Sequence, residues 1–94
     1  MREVIVWPTV HNTLWQNLDE ESYNNLRDRL VSSLETRYER LRKERHPDDE
    51  TLFVFPLYIA EGDKRHRFEF HVDDTMADTH LFVLAVNHSV ETIG

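Results

Sequence analysis

Two consecutive segments near the C-terminal end constrain the fold more than any other part of the chain. Residues 65–72 alternate, with Phe68, Phe70 and Val72 on one side and Arg65, Arg67, Glu69 and His71 on the other. Successive side chains of a strand point to opposite faces, so the pattern predicts a strand with one face on a core and one face open. A polar loop over 73–79 leads to Leu81-Phe82-Val83-Leu84-Ala85-Val86, followed by Asn87 and His88. An unbroken apolar run of this kind predicts a central strand, 80–87, covered on both faces. The four ionisable groups on the open face of the preceding strand are the first candidates for a site.

The rest of the chain supplies the cover. Residues 3–7 form a short β-rich run stopped by Pro8, and Val10, Leu14, Trp15 and Leu18 then follow helical spacing. Asp19-Glu20-Glu21-Ser22 places acidic residues where a helix N-terminus favours them. Tyr23, Leu26, Leu30, Leu34, Tyr38 and Leu41 repeat at steps of three and four. That stripe predicts one long amphipathic helix, ended by Pro47 and the Asp48-Asp49 pair. Its basic last turns would suit the negative end of the helix dipole. Residues 52–60 read as a strand, and Pro56 inside it requires a sheet edge or a bulge. Glu61-Gly62-Asp63-Lys64 is a turn, so a hairpin joins this strand to the next. The order is β-α-α-β-β-β, a single α+β domain over 1–94. It has a mostly antiparallel four-stranded sheet with two helices packed on one face.

Composition narrows the chemistry. With no cysteine, disulfides and thiolate zinc sites are excluded. The six histidines show no HxH, HxxxH or HExxH spacing, and no Gly-rich phosphate loop or nucleophile elbow occurs. The expectation is therefore no cofactor and no metal. No apolar run approaches the ~20 residues of a membrane span, and no signal pattern opens the chain, which points to the cytoplasm. Net charge is -7, yet residues 37–46 carry +3 and residues 64–67 another +3, so the remainder holds -13. Two basic islands in an acidic chain suit phosphate binding if folding brings them together beside the polar side of the third strand.

His66-Arg67-Phe68-Glu69-Phe70-His71-Val72-Asp73-Asp74 resembles the strand-three signature of the RelE/ParE superfamily of toxin-antitoxin toxins. Leu84-Ala85-Val86-Asn87-His88-Ser89 is similar to that family's strand-four signature, a β-branched run ending in histidine. The resemblance implies a RelE-like fold and either messenger RNA cleavage on the ribosome or, in the ParE branch, poisoning of gyrase. It also implies an antitoxin peptide as partner. Cleavage in the first group is metal-free, by attack of the 2'-hydroxyl on the adjacent phosphate. Carried over by position, Arg67 would stabilise the phosphorane charge and His88 matches the strand-four histidine. Ser89 stands where the family has an arginine, and Thr92-Ile93 replace the C-terminal tyrosine of some members.

An endoribonuclease of this type needs a base, an acid and cations on the phosphate. Glu69 or His71 would be the base, His71 or His88 the acid, and Arg65 with Arg67 the clamp. Lys64 and Arg65, with Arg42, Lys43 and Arg45 of the other island, would hold the nucleic acid. The rival reading is a small acidic binding or inhibitor protein without catalysis: an immunity protein, a phage inhibitor or a nucleic-acid mimic. There the charge of -13 outside the islands steers a basic partner. A homodimer pairing through an edge strand or the long helix is a third.

Overall fold

A computed structural model describes residues 2–93. The chain runs β1 (Glu3–Val6), α1 (Pro8–Asn17), α2 (Glu20–Arg37), a 3-10 turn (Tyr38–Arg40), β2 (Glu44–His46), β3 (Asp49–Glu61), β4 (Lys64–Asp73) and β5 (His80–Thr92). Pro8 opens α1 at a position where the missing N–H costs nothing. The Asp19 carboxylate accepts from the Ser22 backbone N–H at 2.8 Å and caps α2, with Glu20 and Glu21 in its first turn.

The sheet has five strands in the order β1-β5-β4-β3-β2 and is mixed, which corrects the four-stranded, mostly antiparallel expectation. β1 lies parallel to β5, from Glu3 opposite His80 to Val6 opposite Val83, and the other pairs are antiparallel. The route through two helices and a hairpin supplies the long connection that parallel neighbours need. The fifth strand is β2, whose Glu44-Arg45-His46 pairs with β3 through a bulge at Arg45/His46. Nothing in that charged triplet signals a strand. It is recruited by the free edge of β3.

The long helix is also corrected. It ends at Arg37, whose backbone leaves the helical region at φ -120° and ψ 5°, and Tyr38, first residue of the 3-10 turn that follows, donates its hydroxyl to Asp74 Oδ2 at 2.6 Å. Tyr38 and Leu41 still pack on the core, so the apolar spacing runs past the helix that created it. The first basic island is therefore spread over the end of α2, the 3-10 turn and β2 rather than lying on one helical face.

Both helices cover one face of the sheet. Val10 and Leu14 of α1 and Leu26, Leu30 and Leu34 of α2 meet Phe53, Phe68, Phe70, Val72, Leu81 and Val83, all buried. Burying each such side chain contributes roughly 1.5–3 kcal/mol. β3 and β4 join through a two-residue turn, Gly62-Asp63, in which Gly62 takes a positive φ of 63°. Pro56 sits on β3 beyond the last β2 pairing at Val54, where no outer strand needs its N–H.

One irregularity sets the orientation of β5. His71 pairs with Ala85 and Val72 with Val83, so Leu84 is an extra residue, a bulge that reverses the alternation of β5. Before it the odd residues Leu81 and Val83 face the helices; after it the even residues Val86, His88 and Val90 share the face of Phe70, Phe68 and His66.

Replacing Leu30, fully buried at the centre of α2, by alanine should lower the unfolding free energy by about 2–5 kcal/mol in urea titrations. The same change at exposed Ser32 should stay within about 0.5 kcal/mol.

Candidate functional site on the open sheet face

The face of the sheet away from the helices carries Arg65, Arg67, Glu69 and His71 of β4, with Tyr58 opposite Arg67 and Asn87 opposite Glu69. Arg67 donates through one guanidinium nitrogen to Glu69 Oε2 at 2.7 Å and through Nε to the Tyr58 hydroxyl at 3.2 Å. The Arg65 guanidinium lies 5.4 Å from the centre of the Tyr58 ring and pairs with Glu91. Together Tyr58, Arg65, Arg67, Ser89, Val90 and Glu91 line a cleft of ≈ 330 Å³. Further along β4, His71 Nε2 stands 3.5 Å from Glu69 Oε1, and the His46 ring closes over His71 edge-on at 4.7 Å between centroids.

The electrostatics of this row are self-contained. The hydrogen bond from Arg67 holds the Glu69 carboxyl below the usual carboxylate range, with a smaller contribution from His71, against the opposing effect of burial. The same pair raises Arg67. Glu69 is thus an ionised, weakly basic group, and Arg67 is a cation already matched by a carboxylate. A phosphate at Arg67 would have to displace Glu69, and one at Arg65 would have to displace Glu91.

His88 stands elsewhere. The bulge at Leu84 places it opposite Phe68, on the helix side of the sheet, so it does not join Arg67, Glu69 and His71. Its ring stacks 4.6 Å from that of Phe68, and its Nε2 shares a hydrogen bond of 2.8 Å with Nδ1 of buried His66. Burial, then the neighbouring His66, lowers the His88 pKa. The acid assigned to His88 is thus separated from the clamp by the thickness of the sheet.

The two basic islands do not meet either. Arg45 forms a two-pronged pair with Asp74 at 2.8 and 3.1 Å, and Lys43 sits 4.2 Å from the centre of the Tyr38 ring. Arg2 donates to the Asp74 carbonyl at 2.9 Å. This cluster lies past the Asp73 end of β4, whereas Lys64, Arg65 and Arg67 lie toward the hairpin end, roughly 23–33 Å from Asp74 along the strand. The expectation of one pocket built from both islands is corrected on that distance. Arg42 is exposed and has no ion-pair partner among the described residues.

The Asp74 cluster is the part that sequence reading missed. Burial pushes the Asp74 carboxyl up, but the hydrogen bonds from Arg45 and Tyr38 outweigh it and leave the pKa low. Burial and then the bond to Asp74 push the Tyr38 hydroxyl up to about 12. The acidic pair Asp73-Asp74 after an alternating strand was the one available signal. Asp73 caps the following turn through Thr75 and Met76, while Asp74 turns in to collect Tyr38 and Arg45. No group of metal-ligating side chains occurs among the described residues, and none of the helices described is long and apolar enough to cross a membrane. No protein-family model, no curated protein and no solved structure matches the chain.

Two limbs of the stability profile follow from the Asp74 cluster. Asp74 has a folded pKa below its unfolded value, so its contribution is present at neutral pH and lost as pH falls through the carboxylate range. Tyr38 has a raised pKa, so its contribution is whole below about pH 10 and lost as pH climbs toward 12. In denaturant titrations Asp74→Asn should be less stable at pH 7 and decline less steeply toward acid; Tyr38→Phe should flatten the alkaline limb.

Proposed function

We propose that this protein is a small acidic binding protein that engages a basic partner and catalyses no reaction. The observation that carries this reading is the imbalance of unpaired surface charge: Arg37, Arg40, Arg42 and Lys64 are exposed cations without an ion-pair partner among the described residues, and they are outnumbered by exposed carboxylates in the same condition. Arg45, Arg65 and Arg67 are each matched by a carboxylate of the same chain, Arg29 donates to the Tyr58 carbonyl, and Lys43 rests on Tyr38. By contrast Glu20, Glu21, Glu44, Asp48, Asp49, Glu50 and Asp78 are exposed, without an ion-pair partner among the described residues. The surplus behind the net charge of -7 therefore sits on the surface as unmatched carboxylate. Such a field attracts basic surfaces, speeds their encounter and weakens with salt.

The nuclease reading loses support on the same facts. Of its two candidate acids His88 lies on the opposite face from the clamp, His71 is packed under His46 beside Glu69, and the clamp arginines Arg65 and Arg67 are paired with Glu91 and Glu69. What remains in its favour is the Tyr58-Arg67-Glu69 row beside an open cleft.

One experiment separates the two. The tagged chain is expressed in its host, growth is followed, and bound material is recovered at low salt. The binding reading expects undisturbed growth and capture of a basic protein that rising salt releases. It also expects that protein to be lost when Asp48, Asp49 and Glu50 are together changed to lysine. Growth arrest relieved by Arg67→Ala, or recovery of RNA or ribosomes, would instead support a RelE/ParE-like toxin.

A further inference from the structure

The sheet ends in several free edges, and all but one are closed to another strand. β1 offers four residues. β2 is three residues long, carries Glu44 and Arg45, is bulged, and runs into Pro47. The stretch of β3 beyond β2 contains Pro56, which has no N–H to give. Short length, charge, bulges and proline are the devices by which sheets avoid pairing with other chains.

β5 past its bulge at Leu84 is long and free of proline, and its one charge is already paired. β1 covers only His80–Val83, so Leu84–Thr92 have β4 on one side and no strand on the other. The Ile93 N–H donates inward to the Asp63 carbonyl at 2.7 Å, and alternation back from that point turns the backbone groups of Val86, His88, Val90 and Thr92 outward. Asn87, Ser89, Val90, Glu91 and Thr92 are exposed. This edge carries no proline and no lysine, and its one charge, Glu91, is held by Arg65.

The edge also fits itself. When two copies run antiparallel about a two-fold axis at His88, Val86 of one copy meets Val90 of the other on the helix side. On the open side Asn87 meets Ser89. An axis at Ser89 sets His88 against Val90 and Asn87 against Glu91. In neither register do two carboxylates face each other, although each chain carries -7. An unrelated extended peptide gains no such matching from this sequence.

We propose that the free part of β5 is a self-association edge, through which two copies join antiparallel into one continuous sheet. The contact is narrow, so association is weak and concentration-dependent, as interfaces below about 1,200 Å² usually are.

The test is sedimentation velocity over roughly 10 µM to 1 mM, the range in which an interaction of this strength is read. Wild type should pass from one chain mass to two. Val90→Pro removes an outward N–H, as Pro56 does on β3, and should stay at one chain mass with an unchanged circular dichroism spectrum. Wild-type hydrogen exchange provides a readout that does not depend on that variant folding: the Val86, His88 and Val90 amides should gain protection as concentration rises. A wild type that stays at one chain mass at the highest concentration would overturn the proposal. So would a folded Val90→Pro that associates equally well. Protection of those amides only after an unrelated extended peptide is added would overturn it too, by giving the edge to a different occupant. None of these outcomes bears on whether the acidic surface binds a basic protein.

Discussion

One extra residue in β5 decides which side chains this molecule presents together. Without the bulge at Leu84, strict alternation would put Phe82, Val86 and His88 on one face and Leu81, Val83 and Ala85 on the other. With it, Leu81, Val83 and Val86 all turn toward the helices and complete the buried layer of Phe68, Phe70 and Val72. The gain is a continuous apolar face beneath α1 and α2. The consequence is that His88 goes to that face as well, where it shares a hydrogen bond with His66.

Charge is divided in the same way. The open face gathers Arg65, Arg67, Glu69 and His71, yet its arginines are taken by Glu91 and Glu69 before any ligand arrives. At the far end of β4, Asp74 collects Arg45 and the Tyr38 hydroxyl. That second cluster is mechanical: it ties the 3-10 turn after α2, β2 and the N-terminal Arg2 to the end of β4. A buried carboxylate with two donors is costly to lose, since either donor's removal leaves it underpaired. The acidic residues left over are exposed on the outside.

Some of this was legible in the residues. The burial of Phe68, Phe70 and Val72 could be read directly because a strand repeats every two residues, and Leu26, Leu30 and Leu34 because a helix repeats at three and four. Tyr58 could be placed across the hairpin from Arg67, since a two-residue turn fixes the register of the two strands it joins. Three features were not readable. A bulge is a tertiary accommodation, and Leu84 looks like any other member of its apolar run. β2 is a strand only because β3 has an edge to fill. α2 ends where the Arg37 backbone leaves the helical region, and Tyr38 just beyond it is held by Asp74, far away in sequence. Each failure has the same origin: a local pattern was extended past the point where a distant contact took over.

The division of the histidine from the arginine row is the claim on which the functional account rests, and proton NMR can observe it directly. Nuclear Overhauser contacts should link the His88 ring to the rings of Phe68 and His66, with Arg67 contacting Tyr58 instead. Contacts from the His88 ring to the side chain of Arg67 or Glu69 would contradict the account, because they would return this histidine to the face of the clamp and the carboxylate.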